Sequence, residues 1–471
     1  MKRQTDDKKE QVLTFLLIGA HFILSAALFY FFWILFRYHG FTITDWGGFR
    51  YNYIVLLGYM AALLFFNRTY NAYLLGYYRV RNLVLAQFLS QLVSIVLLYA
   101  LVSVAWRKLN SPLPFLGLLA AQGALDNVWS LIANHAFFSM HPPRRTILIY
   151  RRELDRRRFG AIHGKPLERL YRVEKELLYD GQDYLQIRSQ LQGFDAVFVA
   201  GVHPSCRNGI AKYCKEEGIP GFFLPHLGDL IMKETVHVQS FDSPVLFLPE
   251  QMQHFEYRVI KRTFDIAASG LALLLLSPVL LMTALAIRVC DGHPAIYRQK
   301  RLTKDGKEFQ MYKFRSMRMD AEKDGIARLS TGDSDERVTP VGRIIRKVRL
   351  DELPQLWNIF KGDMSFVGPR PERPEIAEQI YETLPEFRLR LQVKAGLTGY
   401  AQVYGRYNTV PYEKLEFDLL YIANRGLVTD LMLLFATITT LFLPESTEGI
   451  PKGQTTAMDT EQAQEADSHQ P

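Results

Sequence analysis

Four long apolar stretches lie within the first 140 residues, and they constrain the fold more than any other feature. They cover residues 12–36, 53–66, 83–106 and 115–138. A helix needs about 20 apolar residues to cross a bilayer, so the second stretch is short for a span. The fourth stretch carries Asp126 in its interior. We expect four transmembrane helices, followed by domains outside the bilayer.

Basic residues beside these stretches predict the orientation of the helices. Loops on the cytoplasmic side of a membrane carry an excess of Lys and Arg. With four spans, the N-terminus, the second loop and the segment after the fourth span all face the cytoplasm, and Arg107 and Lys108 are exceptions on the other side. The basic residues on the cytoplasmic side are Lys2, Arg3, Lys8, Lys9, Arg68, Arg79, Arg81, Arg144, Arg145, Arg151 and Arg152.

Residues 144–250 have the rhythm of a small α/β domain. Short β-type runs at 146–150, 195–202 and 221–224 surround a helical segment at 207–217. This alternation predicts a Rossmann-like parallel sheet. The first strand is followed by Arg151 and Arg152 instead of a glycine-rich loop. An oxidoreductase or epimerase that binds a dinucleotide is therefore disfavoured, and a regulatory or scaffolding role is expected.

The next apolar run, residues 264–287, has Ser277-Pro278 at its middle. Proline removes a helical hydrogen-bond donor, and Ser277 can satisfy part of what is freed. Each half of about 13 residues is too short to span a bilayer. Basic residues flank both ends, which disfavours a crossing. We interpret the run as a re-entrant hairpin; a kinked spanning helix is the alternative.

The net charge of +8 is concentrated in one part of the chain. Residues 298–349 contain fifteen Lys and Arg against eight Asp and Glu, a surplus of seven. Such a segment suits diphosphate ligands or an anionic membrane surface, and a solvated basic surface is the alternative. The three cysteines, Cys206, Cys214 and Cys290, form neither a disulfide framework nor a metal cluster, and buried thiols in a reducing compartment are expected.

The segment around Asp351 and Glu352 is the strongest candidate for chemistry. An apolar stripe follows at helical spacing, which predicts that Asp351 caps a helix that ends near Gly362. Two adjacent carboxylates repel each other unless cations neutralise them, and Mg²⁺ prefers such oxygens. The alternative is a helix cap with no catalytic role. The stripe expected to be buried consists of Leu353, Leu356, Trp357 and Phe360.

Three blocks around these carboxylates identify a family. They cover Tyr297–Met317, Lys361–Glu372 and Lys394–Arg406. In this order they resemble the bacterial sugar transferase family, the monotopic polyprenyl-phosphate phosphoglycosyl transferases. The resemblance extends from about Lys261 to Leu443. The four helices and the α/β insert also resemble the larger family members, which act on undecaprenyl phosphate in capsule and exopolysaccharide assembly.

The resemblance implies a covalent mechanism. Asp351 would attack the sugar-bearing phosphorus of a UDP-sugar and release UMP, and the lipid phosphate would then take the sugar phosphate from Asp351. Glu352, with Asp351, would hold Mg²⁺, and Arg346 would bind the lipid phosphate. Ser277 and Pro278 match the break in the family's re-entrant helix. Further candidates for phosphate or substrate binding are Lys313, Arg315, Arg370 and Arg406. For Lys313, Arg315 and Arg370, a purely structural ion pair is the alternative.

The sequence patterns and the resemblance together predict the overall organisation and the partners. The fold class is a membrane-associated α/β protein with a four-helix transmembrane domain (1–143), a Rossmann-like domain (144–250), a re-entrant helix with a mainly helical α+β catalytic domain (251–443), and a disordered tail (444–471). The expected location is the bacterial cytoplasmic membrane, with catalysis on its cytoplasmic face. The expected ligands are undecaprenyl phosphate and a UDP-hexose, with glucose or galactose favoured over an N-acetylated sugar; no nucleic acid is expected. A homo-oligomer and a catalytically silent scaffold remain alternatives.

Overall fold

The protein is described by a computed structural model of the chain. Residues 2–40, 48–107, 111–162, 168–240, 243–249, 255–319, 337–405 and 410–442 are described. The fold is mostly helical and divides into two compact units, Met1–Leu224 and Pro225–Pro471. The predicted tail, residues 444–471, lies outside the described residues.

The first unit begins with four helices: α1 (Lys2–Gly40), α2 (Gly48–Thr69), α3 (Val80–Trp106) and α4 (Leu113–Met140). In the described part of the chain, α1, α3 and α4 are long and apolar enough to cross a membrane, and α2 is not among them. Polar residues at both ends of α2, among them Asn52 and Asn67, shorten its apolar part. Three of the four predicted spans are therefore supported by length and composition.

The four helices enclose a core that contains a polar layer. Phe29 of α1 stacks on Tyr59 of α2 with ring centroids 3.9 Å apart, and both side chains are fully buried. Asp126 of α4 accepts hydrogen bonds of 2.9 Å from both His21 of α1 and Gln91 of α3. A buried carboxylate needs such partners because burial removes its hydration. Asp126 thus faces neighbouring helices, as expected for a polar residue in a helix bundle.

A parallel sheet follows in the same unit. Its elements are β1 (Arg144–Tyr150), α5 (Glu153–Ile162), β2 (Tyr171–Leu178), α6 (Tyr184–Leu191), β3 (Ala196–Ala200), α7 (Pro204–Glu217) and β4 (Gly221–Phe223). The strand order is β2-β1-β3-β4, and all neighbours are parallel. β1 and β3 are central and almost entirely buried. The predicted parallel sheet is confirmed, whereas the edge strand β2 was not predicted.

The second unit begins with α8 (Leu227–Met232) and a hairpin of β5 (Val236–Ser240) and β6 (Ser243–Phe247). Leu230 of α8 packs in one core cluster with Val367 and Leu415. The sequence grouped residues 225–250 with the α/β domain, but α8 belongs to the second unit by its contacts. The Leu230 side chain of α8 is buried in the core of the second unit, and a segment that packs into the core of a unit belongs to that unit.

The apolar run with Ser277-Pro278 forms two helices, α9 (Phe255–Leu275) and α10 (Ser277–Asp291). Their axes bend by 61° at the break between them. The Ser277 hydroxyl donates a hydrogen bond of 2.7 Å to the Leu274 carbonyl. The predicted break is confirmed at the predicted dipeptide. Its geometry suits both a re-entrant hairpin and a broken span.

The remainder of the second unit combines small sheets with short helices. An antiparallel hairpin joins β7 and β8, and the short strands β9 and β10 pair in parallel. The last helix is short and apolar. The elements are β7 (Ile296–Leu302), β8 (Glu308–Phe314), α11 (Pro340–Lys347), α12 (Gln355–Lys361), β9 (Ser365–Val367), α13 (Pro374–Thr383), β10 (Gly396–Thr398), α14 (Tyr400–Tyr404), α15 (Pro411–Asn424) and α16 (Leu427–Phe442).

Helix α12 differs from the prediction in its buried face. Leu356 and Ile359 are buried, but Trp357 is 47% exposed and Phe360 is 38% exposed. The two exposed rings stack with their centroids 5.6 Å apart. The predicted four-residue buried stripe is therefore wrong at these two positions. The predicted end of the helix is confirmed, because Gly362 follows it with a φ of 101°.

Candidate active site

Strand β8 of the antiparallel hairpin carries Lys313, one of the residues of the candidate site. Asn358 of α12 is fully buried and fixes this strand. Its side-chain oxygen accepts a 3.0 Å bond from the Tyr312 N–H, and its amide nitrogen donates 2.7 Å to the Gln310 carbonyl. Because the oxygen and the nitrogen of its side-chain amide both bond the same strand, Asn358 holds β8 in place against α12. Sequence reasoning missed Asn358, although a polar residue inside an apolar helix was a usable signal.

The two adjacent carboxylates lie on a short turn before α12. Leu350–Glu352 forms a 3₁₀ helix, and α12 begins only at Gln355, with Pro354 as its N-cap. The prediction that Asp351 caps the helix is therefore wrong. The physical reason is Arg349, whose left-handed φ of 57° turns the chain into the 3₁₀ helix. Non-glycine residues rarely adopt this conformation, and such strain is often found at functional sites.

Glu352 is held by two cations. Its Oε1 lies 3.4 Å from the Lys313 Nζ and 3.0 Å from the Arg370 Nη2. Burial alone would raise the pKa of Glu352, but the charges of Arg370, Lys313 and Arg349 outweigh it and hold that pKa far below its usual range. Glu352 therefore stays ionised at neutral pH. Two of the predicted phosphate-binding residues, Lys313 and Arg370, meet at this carboxylate.

Asp351 has the opposite electrostatic character. It is buried, with 9% of its surface exposed. Burial, followed by the negative charge of Glu352, raises the pKa of Asp351, while Lys313, Arg346 and Arg349 partly offset this. Two neighbouring carboxyl groups with pKa values pushed apart often have different chemical roles. The predicted residue Arg346, at the end of α11, is thus part of the electrostatic environment of Asp351.

The helix break lies against the residues that flank the carboxylates. Leu276, directly before the break, packs in one cluster with Leu353 and Leu356. Leu280, three residues beyond Ser277, packs in another cluster with Leu350 and Ile345. Leu350 and Leu353, which flank the two carboxylates, therefore pack against the bent helix pair near its break. This contact fixes the carboxylates close to the bend.

Arg315 makes no described contact with either carboxylate. Arg315 follows β8 directly, and its backbone N–H donates to the Ala295 carbonyl at 2.8 Å. Its Nη1 is buried, with no hydrogen-bond partner among the described residues. Arg406 lies outside the described residues. Sequence reasoning missed the backbone role of Arg349, for which the sequence gives no signal.

Asp351 and Glu352 are the candidate ligands for magnesium. Among the described residues, no group of three or more His, Cys, Asp and Glu side chains could hold a metal ion. Asp351 and Glu352 supply two adjacent carboxylates, and proteins often bind Mg²⁺ through one or two carboxylates together with substrate phosphates. The pair is therefore compatible with a magnesium ion whose other ligands come from a bound diphosphate.

Comparisons with known proteins cover this same unit. Residues 256–444 match the model of the family described as bacterial sugar transferase. The UDP-N-acetylgalactosamine-undecaprenyl-phosphate N-acetylgalactosaminephosphotransferase of Aeromonas hydrophila is 41% identical over 39% of this chain and 44% of that protein. The UDP-glucose:undecaprenyl-phosphate glucose-1-phosphate transferase of Escherichia coli K12 is 42% identical over 38% of this chain and 40% of that protein. The UDP-glucose:undecaprenyl-phosphate glucose-1-phosphate transferase of Caulobacter vibrioides is 39% identical over 40% of this chain and 71% of that protein.

The chain belongs to the bacterial sugar transferase family. The resemblance predicted from about Lys261 to Leu443 is confirmed by the family match. The matched residues include the helix break, both carboxylates, Lys313 and Arg370. The aligned part spans less than half the length of the first two relatives. The four N-terminal helices and the parallel sheet lie outside the matched residues.

Proposed function

We propose that this sugar transferase moves a sugar-1-phosphate from a UDP-sugar to undecaprenyl phosphate, the first step in assembling a cell-surface glycan. The observation that carries this proposal is Asp351, a buried carboxylate beside a paired Glu352 and next to the helix break. The names of the relatives describe the same class of transfer for those proteins. A buried carboxylate among cations suits attack on a phosphate, because those cations offset charge on the phosphoryl oxygens.

In the first step, an oxygen of Asp351 attacks the phosphorus that carries the sugar. A bond forms between that oxygen and phosphorus, the bond from phosphorus to the UMP oxygen breaks, and UMP leaves with the electron pair. Ionised Asp351 needs no general base for this attack. Arg370 and Lys313, which hold Glu352, lie where positive charge can also stabilise the diphosphate.

In the second step, an oxygen of the lipid phosphate attacks the same phosphorus. The bond to Asp351 breaks, its carboxylate is regenerated, and polyprenyl-diphospho-sugar forms. Splitting one transfer into two displacements lowers each barrier. Arg346 is assigned to this step because it lies in the last turn of α11, shortly before Asp351 in the chain, and because guanidinium groups match phosphate oxygens geometrically. Arg315 and Arg406 are proposed as further substrate contacts.

Magnesium is proposed as the cofactor, held by Asp351 and Glu352. When bound, it supplies positive charge to the diphosphate of the donor. The other roles fall to the chain itself: Glu352 orients Lys313 and Arg370, and the 3₁₀ turn after Arg349 presents Asp351. These residues bind and orient the donor phosphates.

We propose that α9 and α10 form a re-entrant hairpin in the cytoplasmic leaflet of the bacterial inner membrane. Large apolar side chains are exposed on both helices, among them Leu274 and Leu281, each 72% exposed. A continuous exposed apolar surface indicates a membrane or protein contact. The hairpin would hold Asp351 where a lipid head group and a water-soluble nucleotide sugar can both reach it. The basic flanks described above support the cytoplasmic side.

The sugar is the open part of the proposal. UDP-glucose or UDP-galactose is proposed, with an N-acetylated hexose as the alternative, since the relatives' names include both glucose and N-acetylgalactosamine. The test is UMP release from a panel of UDP-sugars, with undecaprenyl phosphate and magnesium present. One sugar should release UMP with the wild-type protein and none with Asp351→Asn. Absence of UMP release with every sugar would contradict the proposal and favour a silent scaffold.

A further inference from the structure

A second buried ion cluster lies behind the carboxylates. Its centre is Arg390, of which only 3% is exposed. The guanidinium contacts the same Asp418 oxygen through two nitrogens, Nε at 2.9 Å and Nη2 at 2.8 Å. Its Nη1 lies 3.6 Å from Glu372, which also contacts Lys414 at 3.5 Å. Burying a charge pair costs desolvation free energy and adds little net stability, so stability alone does not explain why this cluster is buried.

The cluster reaches the active site through one backbone carbonyl. The Arg390 Nη2 donates a 2.8 Å hydrogen bond to the carbonyl of Arg370. The side chain of the same residue, Arg370, donates to Glu352 at 3.0 Å. Arg390 is therefore connected to the candidate site through Arg370. Among the described contacts, it touches neither Asp351 nor Glu352 itself.

The whole segment from Pro369 to Glu372 is fixed in the same manner. Gly396 N–H donates to the Pro369 carbonyl at 2.8 Å, Arg301 to the Pro371 carbonyl at 3.3 Å, and Leu302 N–H to the Glu372 carbonyl at 3.0 Å. Two prolines in this segment have no N–H to donate, so the hydrogen bonds to its carbonyls do much to hold its backbone in place. At Arg370 the donor is the side chain of Arg390.

We propose that Arg390, locked by Asp418, is a positioning residue that holds the Arg370 backbone so that the Arg370 side chain reaches Glu352 and the donor phosphates. This proposal deepens the proposed transferase function and rests on it. The fork of Arg390 is needed because it bonds Asp418 and a carbonyl at once, and a lysine ammonium cannot reproduce that planar geometry.

The electrostatics of the cluster agree with a group of ion pairs that is charged at neutral pH. Burial would raise the pKa of Glu372, but Lys414, Arg390 and Arg301 lower it to about 2. Burial raises the pKa of Asp418 to about 6, with Arg390 opposing the shift. Glu372 is therefore ionised at neutral pH, and Asp418 is mostly so.

A double-mutant cycle tests whether Arg390 acts through Arg370. UMP release is measured for the wild type, Arg370→Lys, Arg390→Lys and the double variant in lipid nanodiscs. If Arg390 acts through Arg370, Arg390→Lys lowers kcat/KM about tenfold in the wild-type background and less than twofold in the Arg370→Lys background. Equal losses in both backgrounds would show a general structural role and overturn the proposal. Arg388→Lys, an exposed arginine of the same 3₁₀ helix, is the matched control and should retain activity.

A second readout keeps the test independent of activity. Hydrogen–deuterium exchange of a peptide covering residues 366–373 should accelerate in Arg390→Lys and in the milder Asp418→Asn, but not in Arg388→Lys. A peptide covering 204–217 in the first unit should be unchanged in all three variants. Unchanged exchange in 366–373 would overturn the positioning role. If the wild type releases no UMP from any sugar, the proposed function fails, while the exchange measurement still decides whether Arg390 holds this segment.

Discussion

The hydroxyl of Ser277 donates a 2.7 Å hydrogen bond to the carbonyl of Leu274, the carbonyl that Pro278 leaves without its helical donor. An alanine at position 278 would restore that donor, since residue i normally bonds the carbonyl of residue i−4. The serine thus stabilises a bend that the proline creates. This pair of effects explains why two short helices meet at 61° instead of continuing as one.

Pro278→Ala is expected to straighten this pair and convert the hairpin into a span. Cys290, at the end of α10, is the exposed cysteine, whereas Cys206 and Cys214 are buried. In the wild type, a membrane-impermeant maleimide should label Cys290 in inverted vesicles and not in spheroplasts. In Pro278→Ala, labelling in spheroplasts should appear. Cys290→Ser assigns the signal, and wild-type labelling in spheroplasts would contradict the re-entrant arrangement.

Glu352→Gln should change the pH dependence of transfer as well as its magnitude. The Glu352 charge raises the pKa of Asp351, so a neutral amide there lowers that pKa. The nucleophile must be ionised, and the acid limb of kcat/KM should therefore move to lower pH, with kcat reduced about 100-fold. Glu375→Gln, an exposed glutamate on α13, should leave the profile unchanged. An acid limb that stays in place or moves upward would show that the two carboxylates are not coupled.

Arg346→Gln should separate the two half-reactions. If Arg346 binds the lipid phosphate, its loss raises the KM for undecaprenyl phosphate about 10- to 100-fold, the magnitude of one charge-assisted hydrogen bond. UMP release in a single turnover without lipid should remain near the wild-type level. Arg343→Gln, one turn earlier on α11, is the control. A loss confined to the lipid-free step would assign Arg346 to the donor instead.

Asn358→Leu should destabilise the second unit. Leucine leaves the Tyr312 N–H and the Gln310 carbonyl without their partner, and each unsatisfied buried group costs about 1–3 kcal/mol. Lys313 lies next to Tyr312, so the strand that presents it should loosen. Limited proteolysis should cut the variant near 310–313 at concentrations that spare the wild type. Wild-type resistance would mean that the strand is held by its hairpin partner alone.

The sequence correctly predicted features that one residue's own backbone determines. It failed for features that depend on how a segment packs against the rest of the protein. The proline at 278 and the glycine at 362 impose their effects through their own backbones, and both boundaries are confirmed. Strand β2 was missed because it lies at the sheet edge with one polar face, and its charged residues hide the pattern. Trp357 and Phe360 were expected inside because they are apolar. They are exposed in the structure, because α12 directs Leu356 and Ile359 into the core instead.

The candidate site was predicted in part. The family resemblance pointed to its charged residues, and the structure places two of them, Lys313 and Arg370, in ion pairs with Glu352. The left-handed backbone of Arg349 depends on how the turn packs against β8, which no local pattern encodes. Asn358 was missed although a polar residue inside an apolar helix is a local signal. The roles of all these residues remain predictions for the experiments described here.

The most direct measurement of the central claim is the mass of the protein after mixing with its UDP-sugar in the absence of lipid acceptor. We expect a rapid adduct of one sugar phosphate, located by peptide mapping on Asp351 and lost when undecaprenyl phosphate is added. Asp351→Asn, which should lower transfer by at least about 10³-fold, should form no adduct. Full transfer by the wild type with no trapped adduct, or an adduct on another residue, would contradict the account.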